Sequence, residues 1–86
     1  MESSMQQCLE TLHKQNYYIV FDVKELKINA CFEYTTDAIS HLYRYGVPEK
    51  HRLIEPDAFA PLSLKEVKLE DFQKINIKEA IAMVKS

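Results

Sequence analysis

A run of alternating residues constrains this chain most. Leu26, Ile28, Ala30, Phe32 and Tyr34 take every second position, separated by Lys27, Asn29, Cys31 and Glu33. Side chains of an extended strand point to opposite faces in turn. A period of two therefore predicts a strand with one apolar face that something must cover. Just upstream, Tyr17-Tyr18-Ile19-Val20-Phe21-Asp22-Val23 is dense in β-branched and aromatic residues and reads as a second strand. Lys24 and Glu25 separate the two runs, which predicts a hairpin. Neither residue favours the positive φ of a two-residue hairpin turn, so a looser or partly irregular connection is expected. Tyr17, Tyr18, Phe21, Phe32 and Tyr34 crowd these strands and cannot all face one core. Either helices cover both faces of the hairpin or a partner covers the outer one, and three candidate helices favour the first answer.

Those helices are read from spacing and punctuation. Met5, Cys8, Leu9 and Leu12 follow the i, i+3, i+4, i+7 pattern of one buried stripe, with Ser3 or Ser4 as a cap and an end near Gln15. Thr36-Asp37 reads as a second start, a hydroxyl cap followed by a carboxylate at the positive end of the helix dipole. Ala38, Ile39, Leu42 and Tyr43 give this second helix, over residues 37–45, an apolar side that places Tyr43 in the core. Gly46 stands at the C′ position, and Val47-Pro48 stops further helix. At the end of the chain Asn76 caps, Glu79 occupies N3, and Ile77, Ala80, Ile81 and Val84 form a stripe.

Residues 48–61 hold all three prolines and are expected to be irregular, with Leu53-Ile54 as a short extended piece. Residues 62–72 carry two opposing signals. Ser63-Leu64-Lys65-Glu66 fits a capping box, whereas Val67 and Leu69 alternate with charged neighbours as an edge strand would. The strand reading, around residues 66–70, is adopted. The expected order is thus α-β-β-α-β-α in one α+β domain spanning residues 1–86. Its small antiparallel sheet has two to three strands, and about three helices pack on one face. A domain of this length buries only about 60% of the surface its unfolded chain exposes, so a homodimer stays open as a way to bury more.

Composition excludes several functions. Gly46 is the single glycine, and phosphate-cradling loops need several, so neither GxGxxG nor GxxxxGK[ST] can be written. A formal net charge of −2 does not suit a polyanion binder, leaving any nucleic-acid role to a local patch. Two cysteines make no disulfide framework. The first residues lack the basic start and apolar run of a signal peptide, and no apolar stretch nears the roughly 20 residues that span a bilayer. A cytoplasmic location with reduced thiols and no membrane contact is expected.

No residues converge on catalysis, a cofactor or a metal. Cys8 and His13 form the nearest Cys/His pair, five apart on different sides of a helix, whereas zinc sites present close pairs. Cys8 reads as a core residue and the histidines as surface residues. Cys31, on the polar side of its strand, has no neighbouring base or oxyanion donors in the pattern.

The segment from His41 to Arg52 stands out instead. It holds Arg44, Lys50 and Arg52 against Glu49, with His41, His51, Tyr43 and Tyr45. His41, Arg44 and Tyr45 share a helix face by spacing, and Lys50, His51 and Arg52 follow on a loop that can curl beside them. Tyr and Arg are typical anchors of protein interfaces. The leading expectation is a non-enzymatic interaction module, a regulator or inhibitor docking on a larger protein through His41, Arg44, Tyr45, Lys50, His51 and Arg52. Cations beside stacking rings also suit single-stranded nucleic acid, which makes a nucleic-acid-binding domain the alternative. A small dimeric ligand-binding protein or enzyme is the third reading.

Overall fold

The two adjacent runs form the hairpin that their patterns demand. In a computed structural model, which describes residues 4–85, β1 (Tyr18–Asp22) pairs antiparallel with β2 (Lys27–Phe32). Residues 23–26 make the connection, longer than Lys24-Glu25 alone. Asp22 organises it: its Oδ1 accepts hydrogen bonds from the amides of Lys24 (2.9 Å) and Glu25 (2.8 Å). A carboxylate that bonds amides two and three residues on substitutes for a backbone turn. Leu26 completes the loop at φ 57°, a left-handed conformation that an L-residue adopts at roughly 1–2 kcal/mol.

The alternation in β2 serves two faces rather than one. Val20 pairs with Ala30 and Phe21 with Ile28, so Asn29 is an extra residue, a β-bulge. Beyond it the side chains change face. Ala30 and Phe32 join Tyr18 and Val20 on one side, while Ile28 joins Ile19 and Phe21 on the other.

β3 (His51–Ile54) pairs antiparallel with β1, and the two-residue β4 (Gln73–Lys74) runs parallel to β3, giving the order β2-β1-β3-β4. The domain is α+β, but its sheet is mixed and has four strands among the described residues. The strand expected at residues 66–70 is absent. Ser63 Oγ does accept from the Glu66 amide (3.3 Å), as a cap would. The turn then closes at once: the Leu69 amide bonds Leu64 O (2.7 Å), that of Lys68 bonds Lys65 O (3.1 Å), and Lys68 sits at φ 60°. This is a Schellman ending, and Leu64 and Leu69, which its 6→1 bond ties together, both belong to the core. Alternation at Val67 and Leu69 mimicked a strand because a tight turn also throws separated apolar residues inward.

Every residue of β1 is buried, so both sheet faces are covered, as the crowding of rings on the hairpin predicts and against the expected packing of all helices on one face. On the Tyr18/Val20 face lie α2 (Thr35–Tyr45) and the segment 62–72, whose Ala38, Leu42, Leu64, Leu69 and Phe72 enclose Leu53. On the Ile19/Phe21 face lie α1 (Ser4–Lys14) and α3 (Ile77–Lys85), closing over Ile54 with Leu9 and Ala80. Fully burying a side chain the size of Phe21 or Leu9 stabilises by about 1.5–3 kcal/mol.

The helix ends show what local chemistry controls. Asn76 Oδ1 accepts from the Glu79 amide (2.8 Å), so α3 starts as its sequence indicates. α1 ends in a second Schellman motif, with Asn16 at φ 66° and the Tyr17 amide bonded to Leu12 O (3.1 Å). Ser3 lies outside the described residues, and Ser4 is already helical. Cys8 is exposed rather than part of the core. The buried centre of α1 is Leu9, with Gln6 also buried, and Cys8 lies one residue step, about 100°, round the helix from Leu9. α2 is capped by Tyr34 without a side-chain bond, not by Thr36. Gly46 ends it at φ −71°, so its role as a left-handed cap does not hold; the residue fills a space with no room for a Cβ, between Leu42 O and the Phe72 ring.

Candidate interaction surface

The bulge in β2 and the register of β3 decide where the 41–52 segment presents its side chains. His41 leaves α2 towards β2, where its Nε2 lies 2.8 Å from Asn29 Oδ1, on the bulge residue itself. Asn Oδ1 only accepts, so His41 Nε2 carries the proton of this bond. The His41 ring packs between Phe32 (centroids 5.2 Å apart) and Tyr45 (5.4 Å), one turn further along α2. Burial pushes the His41 pKa below its ordinary value and favours the neutral ring. Tyr45 is 66% exposed, and Arg44 is exposed with no hydrogen bond or ion pair. These three residues therefore stand together on one side of α2.

The other three turn away. His51 pairs opposite Asp22 in the sheet and is buried, which corrects its reading as a surface histidine. Its Nδ1 accepts from the Val47 amide (2.9 Å), and its Nε2 lies 4.0 Å from Asp22 Oδ2. Lys50 Nζ lies 3.8 Å from the same carboxylate. Arg52 Nη1 donates to Pro48 O (2.8 Å) and His51 O (3.2 Å). A loop was expected here because prolines flank the segment. β3 instead occupies an interior position of the sheet, which forces residues 51–54 to be extended and buries His51, Leu53 and Ile54.

Buried Asp22 and His51 meet the partly exposed Lys50 in a polar cluster at the loop after α2. Burial alone works to raise the Asp22 pKa, but the Glu25 and Lys24 amides, aided by the Lys50 and His51 charges, bring it below the usual carboxylate value. Burial pushes the His51 pKa down; the Asp22 charge opposes this, and Lys50 and His41 add to it. Asp22 therefore serves as an anionic hub that joins the hairpin turn to the loop after α2.

Sequence reasoning missed the most exposed aromatic residues. Tyr43, expected in the core, is 56% exposed and donates its hydroxyl hydrogen to Val67 O. Tyr34 (65% exposed) caps α2, and Phe59 (53%) stacks over the buried Tyr18 with ring centroids 6.4 Å apart and planes 8° from parallel. Tyr18, Glu33, Tyr34, Thr35, Phe59 and Ala60 line a cleft of about 360 Å³ between the N-terminal end of α2 and the 56–61 loop. The Tyr17 hydroxyl donates to Glu33 Oε1 (3.2 Å) at its margin. Tyr34 had a signal, since it ends the alternation beyond the last β2 residue; Phe59 sits among prolines without periodicity and had none.

Among the described residues, no group of three or more His, Cys, Asp or Glu side chains is placed to hold a metal ion. No described helix is long and apolar enough to cross a membrane. No protein-family model, no curated protein and no solved structure matches this chain.

Proposed function

We propose that this chain is a protein-interaction module, a small regulator or inhibitor that docks on a larger protein through the exposed side of α2. The observation that carries the reading is the fringe of aromatic rings around that helix: Tyr34, Tyr43 and Tyr45 are each more than half exposed, with unpaired Arg44 beside them. Exposed Tyr and Arg on a rigid element are the residue types that anchor protein partners, because each brings large contact area with few torsions to freeze. One core cluster holds α2 against the sheet through Ala38 and Leu42, so the side chains it presents are preorganised.

Nucleic-acid binding draws less support from the geometry. It needs Lys50, His51 and Arg52 free for phosphates, but Lys50 lies beside Asp22, His51 is buried, and Arg52 bonds two carbonyls. Arg44 alone is a weak electrostatic footprint, since each phosphate contact needs its own cation.

The test is gel filtration with light scattering on the purified chain, alone and mixed with nuclease-treated cell extract. A stoichiometric complex that forms with the wild type and is lost with Arg44→Asp or Tyr45→Ala supports the module. A chain that elutes unchanged, or a complex indifferent to both variants, overturns it. A complex that forms in untreated extract but not in the nuclease-treated one moves the assignment to nucleic acid.

A further inference from the structure

We infer that the cleft between Tyr34 and Phe59 is a slot for an extended, proline-bearing peptide that carries a basic residue, and that this peptide belongs to the partner of the docking module proposed above. This rests on that reading and names the partner chemistry.

Three features of the cleft converge on such a segment. Tyr34 and Phe59 both line it, each more than half exposed, and the Phe59 ring stacks on that of Tyr18. Exposed rings lining a shallow slot suit proline, whose side chain packs on aromatic faces and whose backbone is already restricted to an extended helix. Second, the floor of the slot is preorganised: Tyr18 lines it and belongs to the core, at 3% exposure.

Third, the charge around the slot is acidic. Glu33 lines it directly. On the other side of Phe59, a second depression carries Glu55, Asp57 and Glu79 against Lys74, and that lysine is engaged by Glu55 (2.9 Å) and Leu62 O (2.6 Å). A peptide lysine or arginine complements this surplus, whereas a phosphate backbone is repelled by it. The ligand class is therefore a cationic peptide rather than a nucleic acid, although aromatic rings alone would serve either.

The probe is a short synthetic peptide of alternating proline and alanine with one central arginine, followed by amide and ring NMR shifts of the full chain. Saturable shifts are expected at Tyr18, Glu33, Tyr34 and Phe59. Phe59→Ala and Tyr34→Ala, both at exposed positions that leave the core intact, should each weaken binding about tenfold, the loss seen when an interface anchor is removed. Glu33→Gln should abolish the preference for arginine over glutamate at the central position.

Absent or unsaturable shifts, or Phe59→Ala binding as the wild type does, would overturn the assignment. So would equal binding of the glutamate peptide or of a single-stranded oligonucleotide. Failure here is separable from failure of the module. A partner complex that survives Phe59→Ala but is lost in Arg44→Asp keeps the docking reading and removes the slot.

Discussion

Replacing Gly46 with alanine tests how α2 is held against the sheet. The Gly46 backbone, at φ −71° and ψ 143°, is open to any residue, so a side chain there meets no conformational strain. It meets atoms instead. A Cβ at this position would collide with Leu42 O, which already accepts the Gly46 amide hydrogen (3.0 Å), and would stand 2.5 and 2.8 Å from Cζ and Cε1 of Phe72. The carbonyl cannot retreat without breaking the last bond of α2. The Phe72 ring, 9% exposed, cannot swing without disturbing Leu64 and Leu69 in the same cluster. Overpacking of this kind costs about 1–3 kcal/mol, and two immovable neighbours place Gly46→Ala near the upper end. For a domain of this size a cost of about 2–3 kcal/mol lowers the melting temperature by roughly 8–24 °C, taking about 4–8 °C per kcal/mol. Urea and thermal unfolding followed by circular dichroism measure it. Asparagine provides the control, because a left-handed cap tolerates Asn far better than Ala whereas a filled space rejects both. Gly46→Ala with Phe72→Leu should lose less stability than the two single changes added together, since the shortened side chain frees the space. An Ala variant within about 0.5 kcal/mol of wild type, or an Asn variant clearly more stable than Ala, would refute the steric account.

Acid should destabilise the fold in two steps. Burial holds His51 and His41 below their ordinary value of 6.5, so the unfolded chain binds protons more readily, and stability falls as the pH drops below 6.5 towards their folded values. Asp22 lies below 3.8 in the fold, so its contribution is present above 3.8 and is lost as the pH falls further. Urea unfolding across pH should show both declines, and His51→Gln should shrink the upper one. Lys68→Gly should raise stability by about 1 kcal/mol, because glycine adopts φ 60° without the Cβ clash; urea midpoints would show it, and a neutral or negative change would deny the left-handed turn. Cys8 and Cys31 are both exposed and free, so a thiol reagent should modify two groups per native chain without a prior unfolding step. One fast and one slow thiol would return Cys8 to the core.

Part of the local chemistry was legible, although the Thr36 cap, the Gly46 cap and the turn at residues 64–69 were misread. The hairpin, α3 with its Asn76 cap, the extent of α1 and α2, and the α+β class all follow from periodicity and from side chains bonding amides a few residues away. The left-handed positions among the described residues were not legible, because Asn16, Leu26 and Lys68 fill them while the one glycine does not. Of the candidate site, the grouping of His41, Arg44 and Tyr45 on α2 was readable from helical spacing. The burial of His51 and the engagement of Lys50 by Asp22 and of Arg52 by loop carbonyls were not.

Sequence alone determined which segments can be helix or strand, since those preferences depend on contacts within a few residues. The tertiary structure decided what each face touches. Placing β3 between β1 and β4 buried His51 against Asp22, and the Asn29 bulge sent Ile28 and Ala30 to opposite cores. Docking Phe72 against Gly46 turned an apparent turn residue into a packing contact. Laying residues 62–72 beside α2 left Tyr43 outside with its hydroxyl on Val67 O, and bringing the 56–61 loop over Tyr18 made the cleft. Each of these joins residues far apart in the chain, and pairings of that kind are set by whole-sheet register and core volume, which no local pattern encodes.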